Sequence, residues 1–376
     1  MSLRILLTGG GTAGHINPAL AIAETVKRNC PDAEIGFVGI RGGKEEDLVP
    51  RAGYPLRYVR SRGFVRPLWS PQNLKAAYLA FVSPREKQTT RILDEFRPDL
   101  VIGTGGYACW PLMVAAARRG IPTALHESNA TPGVAVKRLQ KRVDRIWINF
   151  SLTKEKLTTD RPIHCVGNPT LGEFGSLSKI EARRRLGVAE DAKLLLSFGG
   201  SLGAEEINKT VLSLMEDPAY ASLNILHGHA SGKREYPKME ARYARLSDEQ
   251  KKTCVLKDYI YDMPLWMAAA DVVISRAGAM TLSELALMKK PSILIPSPNV
   301  ADNHQYYNAL ALADAGAAIL IEEKDLTKER LHTALAQLFG DADAARRMGA
   351  CAASFADPDA NRRIWQEIQS MLRKDT

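Results

Sequence analysis

Short apolar runs rich in Val, Ile and Leu recur along the whole chain, separated by longer stretches of helical period. In the first half these runs fall near 4–8, 34–39, 56–60, 99–102, 122–126 and 144–148 and read as strands, with helices between most of them. Such alternation predicts a parallel sheet. The segment PIHCVGNP, from Pro162 to Pro169, then reads as a last strand and a turn leading out. That turn divides the chain into an N-terminal domain, 1–167, and a C-terminal domain, 168–376. The second half repeats the pattern, with strands near 193–198, 222–227, 253–256, 271–274, 291–295 and 317–321. Residues 326–372 read as all-helical. Their final helix carries Ile364, Trp365, Ile368 and Met371 on one face, and that face suits packing back on the N-terminal domain.

The two halves also echo each other in detail. ILLTGGGTAGHINPALAI near the start corresponds to LLLSFGGSLGAEEINKTV at 194–211, each reading as strand, glycine loop and helix. Gly9, Gly11 and Gly14 satisfy the G-x-G-x-x-G spacing of a dinucleotide fold, which also wants an acid at the end of the second strand. That strand ends FVGIRGG with no acid, and the loop lacks the G-K-[ST] of a P-loop. What remains is the helix N-terminus behind each loop, whose unpaired N–H groups and partial positive charge attract phosphate. Two such loops predict one site that receives more than one phosphorylated group. The plainer alternative is that the glycines only allow tight strand-to-helix turns. Loops at the carboxyl ends of two facing sheets would line opposite walls of one cleft.

Length and charge sharpen this picture. At 376 residues, with 45% apolar and 25% charged positions, the chain exceeds what one core usually serves. No apolar run approaches the ~20 residues that span a bilayer, which predicts a cytoplasmic protein. Cys30, Cys109, Cys165, Cys254 and Cys351 are scattered without a C-x-x-C pair, predicting neither disulfides nor zinc. Of the formal net charge of +9, residues 1–165 carry 25 Lys and Arg against 14 Asp and Glu. The whole excess lies in the front half and predicts an anionic partner there: nucleic acid, a membrane surface or a phosphorylated substrate. No RNP or zinc-finger signature points to nucleic acid.

Five stretches carry a family resemblance: GGTAGH at 10–15, GTGGYACWPLMVAAARRGIPTALHESN at 103–129, GNP at 167–169, GGSLGAEEIN at 199–208 and SRAGAMTLSELALMKKPSILIPSPNVADNHQYYNA at 275–309. In order and spacing they resemble the MurG family of peptidoglycan glycosyltransferases over nearly the whole chain. The resemblance implies an α/β GT-B fold, two Rossmann-like domains facing across a cleft. It implies transfer of N-acetylglucosamine from UDP-GlcNAc to the MurNAc C4 hydroxyl of lipid I, undecaprenyl-diphospho-MurNAc-pentapeptide, giving lipid II. It also implies inversion at the anomeric carbon with no cofactor and no essential metal. Main-chain N–H groups and a helix dipole then have to stabilise the departing diphosphate.

The resemblance assigns residues as well. Ser201 contacts the diphosphate, unless it only caps a helix. Glu284 takes the ribose hydroxyls of UDP, within the segment Ala279, Met280, Thr281, Leu282, Ser283 and Glu284, unless it is a solvated first-turn acid. The backbone of Ile260 reads the uracil edge. Asn129 and Gln305 bind the donor, Gln305 at the sugar hydroxyls, since an amide offers both donor and acceptor. Thr12, Ala13 and Gly14 belong to a loop that touches donor and acceptor. His15 serves as the base for the acceptor hydroxyl or only binds the acceptor diphosphate. His227 and His229, two apart on a strand, raise a metal pair as a weaker idea. The sequence departs from the family at Leu171, usually Arg, and at His304, Ser128 and Ala13.

Lipid I implies docking on the cytoplasmic face of the bacterial plasma membrane, peripherally. RSRGFVRPLWSPQNLKAAYLAFV at 60–82 combines basic residues with Phe64, Leu68 and Trp69, then Leu74, Ala77, Tyr78 and Phe81 at helical spacing. The stripe alternatively packs on the core. Competing functions on this architecture are transfer to another lipid acceptor, a UDP-GlcNAc 2-epimerase, and an inactive sugar-nucleotide-binding scaffold.

Overall fold

A computed structural model describes residues 2–63, 71–200, 202–300 and 303–373. The chain forms two compact units, Met1–Leu171 together with Pro358–Thr376, and Gly172–Asp357.

The first unit is built on seven strands: β1 (Arg4–Thr8), β2 (Glu34–Gly39), β3 (Leu56–Tyr58), β4 (Leu100–Gly103), β5 (Thr123–Glu127), β6 (Arg145–Ile148) and β7 (Ile163–Cys165). They pair in parallel in the order β3-β2-β1-β4-β5-β6-β7. Both faces of the sheet are buried. Leu6, Val38, Val101, Leu125 and Ile146 face the helix Cys109–Arg118, whereas Ile5, Leu7, Phe37, Ile102 and Trp147 face the helix Ala13–Asn29. Double burial is why the strands read as continuous apolar runs instead of alternating.

The final helix, Ala360–Leu372, belongs to this unit. Ile364, Ile368 and Met371 are buried with Ile5, Leu7 and Trp147, each contributing roughly 1.5–3 kcal/mol. Polar bonds fix its register: Arg145 Nη1 donates to Glu367 Oε2 at 2.8 Å and to Ser370 Oγ. Asn361 clamps Thr170, accepting from its N–H at 3.2 Å and donating to its carbonyl at 2.7 Å. Leu171, where the family carries Arg, packs its side chain against the same core.

The second unit carries β8 (Lys193–Phe198), β9 (Ile225–Ala230), β10 (Cys254–Lys257), β11 (Val272–Ser275), β12 (Ser292–Leu294) and β13 (Ile319–Leu320). Its parallel order is β10-β9-β8-β11-β12-β13. In each sheet the order reverses beside its first strand, at β1/β4 and at β8/β11, where ligand crevices form in such folds. β9 departs from the expected 222–227. Asn224 sits at φ 50°, in the left-handed region, and the strand starts after it and runs on through His227, Gly228 and His229. Those polar residues are buried because they bond one another, as described below.

Candidate active site

Every candidate stretch leaves the carboxyl end of a strand of its own sheet. In the first unit the loop 9–12 follows β1, the loop 104–108 follows β4, and Asn129 follows β5. In the second, 199–204 follows β8, Ile260 follows β10, 276–278 follows β11, and Gln305 opens the helix His304–Asp314 after β12. Parallel pairing therefore gathers three stretches at one end of the first sheet and four at one end of the second.

His15 lies in the first turn of the helix Ala13–Asn29, half-buried. Its Nδ1 is 3.2 Å from Thr12 Oγ1, and its carbonyl accepts from Thr104 Oγ1 at 2.6 Å. The β4 loop presses on the ring so closely that a methyl group at Gly105 would stand 2.8 Å from Cδ2. This crowding removes water and lowers the imidazole pKa, against an opposing backbone bond with Gly10. The ring is thus neutral near pH 7 and able to take a proton. Thr12 is the N-cap residue without capping by its side chain, Ala13 is buried, and Gly14 is exposed.

An unforeseen acid completes this loop. Glu45 is 1% exposed; its carboxylate accepts from Gly11 N at 3.3 Å and from Ile40 N at 3.0 Å. β2 does end without an acid, but the chain turns and brings one back from the next helix, Glu45–Arg51. The signal was the set of glycines around it: methyl groups at Gly10, Gly39 or Gly43 would fall within 2.5 Å of Glu45 atoms. An amide that a phosphate was expected to use is therefore already bonded. Tyr107, from the G-G-Y stretch, lays its ring against Gly11 and Gly63, and burial followed by the Glu45 charge raises its pKa. Cys109 is buried behind the loop with its thiol pushed up to about 12, and is chemically quiet.

Asn129 is held by Glu127, whose Oε1 accepts from its N–H at 2.9 Å and from Nδ2 at 3.0 Å, while Oε2 accepts from Gly133 N at 2.8 Å. Its Oδ1 has no partner among the described residues. His126 is fully buried and bonds the Gly167 carbonyl at 2.9 Å through Nε2, and burial lowers its pKa to about 4. It ties the H-E-x-N stretch to the G-N-P turn.

In the second unit, Ser201 lies outside the described residues. The helix behind its loop, Glu205–Met215, has Ala204 as N-cap residue, and no side chain caps it. Gly278 likewise precedes the helix Ala279–Leu287 without a side-chain cap, and a methyl group there would meet nothing within 4 Å. By contrast Ser178, Asp217, Ser247, Thr327 and Asp341 cap helices elsewhere in this unit. The helix behind the loop 199–204 thus keeps backbone donors that a ligand can use.

Glu284, in the second turn of its helix, is 7% exposed rather than solvated. No described residue bonds its carboxyl group, and burial raises its pKa to about 8. Ala279, Met280 and Leu282 are buried, whereas Thr281 and Ser283 are half-buried. Ser283 Oγ donates to the Ala279 carbonyl at 3.1 Å. Gln305 Oε1 accepts from Ser297 N at 3.0 Å, and its amide N–H groups have no partner among the described residues. Ile260 buries its side chain, and its N–H and carbonyl find no partner among the described residues. Among the described residues no group of three or more His, Cys, Asp or Glu is arranged to hold a metal ion.

Comparison with known proteins identifies the family. The model of the glycosyltransferase family 28 N-terminal domain matches residues 5–148, and that of the glycosyltransferase family 28 C-terminal domain matches residues 194–364. A protein of Acetivibrio thermocellus named UDP-N-acetylglucosamine--N-acetylmuramyl-(pentapeptide) pyrophosphoryl-undecaprenol N-acetylglucosamine transferase is 40% identical, covering 99% of both chains. A Bacillus thuringiensis protein of the same name, numbered 2, is 36% identical over 99% of this chain and 100% of its own. The crystal structure of Acinetobacter baumannii MurG superposes with a TM-score of 0.69 at 24% identity, covering 98% of this chain and 100% of that one.

Proposed function

The chain belongs to glycosyltransferase family 28, with the GT-B fold, and from that premise we propose that it makes lipid II by moving N-acetylglucosamine from UDP-GlcNAc to lipid I. Relatives alike over their full length at 36–40% identity are named for that transfer. The acceptor's C4 oxygen attacks the anomeric carbon from the face opposite UDP. The bond from that carbon to the diphosphate oxygen breaks, UDP departs, and the hydroxyl proton passes to His15. A neutral, crowded imidazole suits that base. Thr12, Ala13 and Gly14 carry His15 and meet the substrates beside it.

The second unit binds the donor. Uncapped N–H groups behind the loop 199–204 take the diphosphate charge, Ser201 adds its hydroxyl, and Ile260 offers its backbone edge to uracil. Glu284 receives the ribose diol, and the backbone and side chains from Ala279 to Ser283 frame it. Gln305 donates to the sugar hydroxyls and Asn129 accepts from the substrate. The observation that carries this reading is Glu284, a buried acid with no partner among the described residues, which suits it to receive a ligand's hydroxyls.

The acceptor's lipid demands a membrane face. On the helix Gln72–Val82, Leu74 is 75% and Tyr78 66% exposed, Ala77 is exposed, and Asn73 and Ala76 are buried. That pattern supports an outward stripe rather than a core contact. Phe64, Arg66, Leu68 and Trp69 lie outside the described residues. Among the described residues no helix is long and apolar enough to cross a membrane. Peripheral docking at an anionic cytoplasmic surface follows. Incubation with UDP-GlcNAc, with and without a lipid I analogue, tests the reading: UDP release that requires the acceptor supports it, and conversion of the sugar without acceptor contradicts it.

A further inference from the structure

His227 and His229 do not form a metal pair. They stand on one face of β9, opposite Leu195 and Ser197 of β8, with the helix Glu205–Met215 over them. Ser197, His227, His229 and Asn208 are at most 1% exposed, and Tyr220 is 3% exposed. Tyr220 Oη lies 2.9 Å from His227 Nδ1, His227 Nε2 2.7 Å from Ser197 Oγ, and Ser197 Oγ 2.8 Å from His229 Nδ1. His229 Nε2 lies 3.1 Å from Asn208 Oδ1, and Asn208 Nδ2 donates to the Ser231 carbonyl at 2.9 Å.

One direction alone satisfies every atom. The Ser231 carbonyl can only accept, so Asn208 must turn its NH2 toward it and its oxygen toward His229. His229 therefore carries its proton on Nε2, and its bare Nδ1 accepts from the Ser197 hydroxyl. The Ser197 oxygen accepts from His227 Nε2–H, and the bare His227 Nδ1 accepts from Tyr220. Both imidazoles are neutral in this scheme, in keeping with burial that lowers His229 to about 4 and His227 well below its ordinary value. A fully satisfied buried network of this kind fixes a single geometry.

The chain ends behind the second glycine loop. A methyl group at Gly203 would stand 2.1 Å from the Ser231 oxygen, the atom that Asn208 grips, and one at Gly232 would stand 2.4 Å from Gly203 N. Asn208 itself rides on the helix that the loop opens, one turn from its start. We propose that Asn208 is a positioning residue for the donor: aligned by the Tyr220, His227, Ser197 and His229 chain, it holds the Ser231 carbonyl against Gly203 and so sets the pose of the diphosphate-binding loop. This rests on the donor site assigned above to the second unit.

Steady-state kinetics and titration with UDP, on the full chain, test it. Asn208→Ala should raise KM for UDP-GlcNAc and weaken UDP binding about tenfold, with KM for the lipid I analogue unchanged. Tyr220→Phe, which removes the donor at the far end of the chain but spares the Asn208 contacts, should raise donor KM by less than Asn208→Ala does, again with the lipid I analogue KM unchanged. Asn208→Ala with native donor KM, or with both KM values raised alike, would overturn the proposal. Should that variant not fold, histidine nitrogen NMR of the native protein at pH 7 decides: both rings should be neutral with the proton on Nε2, and a charged ring or an Nδ1–H tautomer sinks the chain. Native protein that binds no UDP would refute the donor reading itself, whatever the tautomers show.

Discussion

The two glycine loops share a plan, and the difference lies in what already occupies their amides. In the loop after β1, Gly11 N–H is bonded to the buried carboxylate of Glu45, and His15 is wedged between Thr12 and the β4 loop. In the loop after β8, no carboxylate bonds an amide of the described residues, and the helix behind starts without a side-chain cap. An anion is disfavoured where a buried acid stands and favoured where bare donors stand. On the proposed reading, one shared strand, loop and helix serves two chemistries, proton handling in the first unit and charge stabilisation in the second. The echo between 194–211 and the opening residues reveals the shared backbone and hides this division.

The contrast breaks most visibly at His15. His15→Ala should lower kcat by about 10²–10⁴-fold, the usual worth of a general base, while KM for UDP-GlcNAc stays within twofold. Steady-state UDP release measures both. In the native enzyme the acid limb of kcat/KM should fall below the ordinary imidazole value, because burial lowers this ring.

Glu284→Gln comes next. Loss of the anionic acceptor should weaken UDP binding about tenfold by titration. A carboxyl raised to about 8 must ionise to receive the ribose diol fully, so native UDP affinity should climb from pH 6.5 to 8.5 and the variant should stay flat. The stability sign is opposite. A raised acid contributes stability that is full below its unfolded pKa and is lost as pH rises toward 8, so the variant should melt higher than the native protein at pH 8.

Glu45→Gln probes the other loop. A glutamine presents one acceptor to two N–H groups, Gly11 and Ile40, and leaves a buried donor facing a donor, costing about 1–3 kcal/mol. Thermal melting should register that loss, and kcat should fall several-fold with donor KM unchanged. Smallest is the membrane contact: Leu74→Ser with Tyr78→Ser should weaken sedimentation with anionic vesicles two- to fivefold, at about constant turnover on a soluble acceptor.

The sheets were legible because their strands are buried on both faces. β1, β2 and β8 begin and end where the apolar runs do. β9 was displaced because His227 and His229 look polar in sequence, and only the bonds they exchange with Ser197 permit their burial. The final helix announced its apolar stripe but not its anchors, since Arg145 and Glu367 are 222 residues apart. Candidate positions at the strand ends were readable from order alone. Their partners were not: Asn129 is held by Glu127 and Gln305 by Ser297 N, contacts that no spacing encodes. Glu45 escaped for the same reason, reaching back from beyond β2 into room left by three glycines.

The most direct measurement is a crystal structure of the full chain grown with UDP and a chelator. The diphosphate should lie roughly 3 Å from main-chain N–H groups of the second-unit loop, with the ribose on Glu284. A diphosphate seated on residues 9–12, or bound only once a divalent ion is restored, would contradict the account.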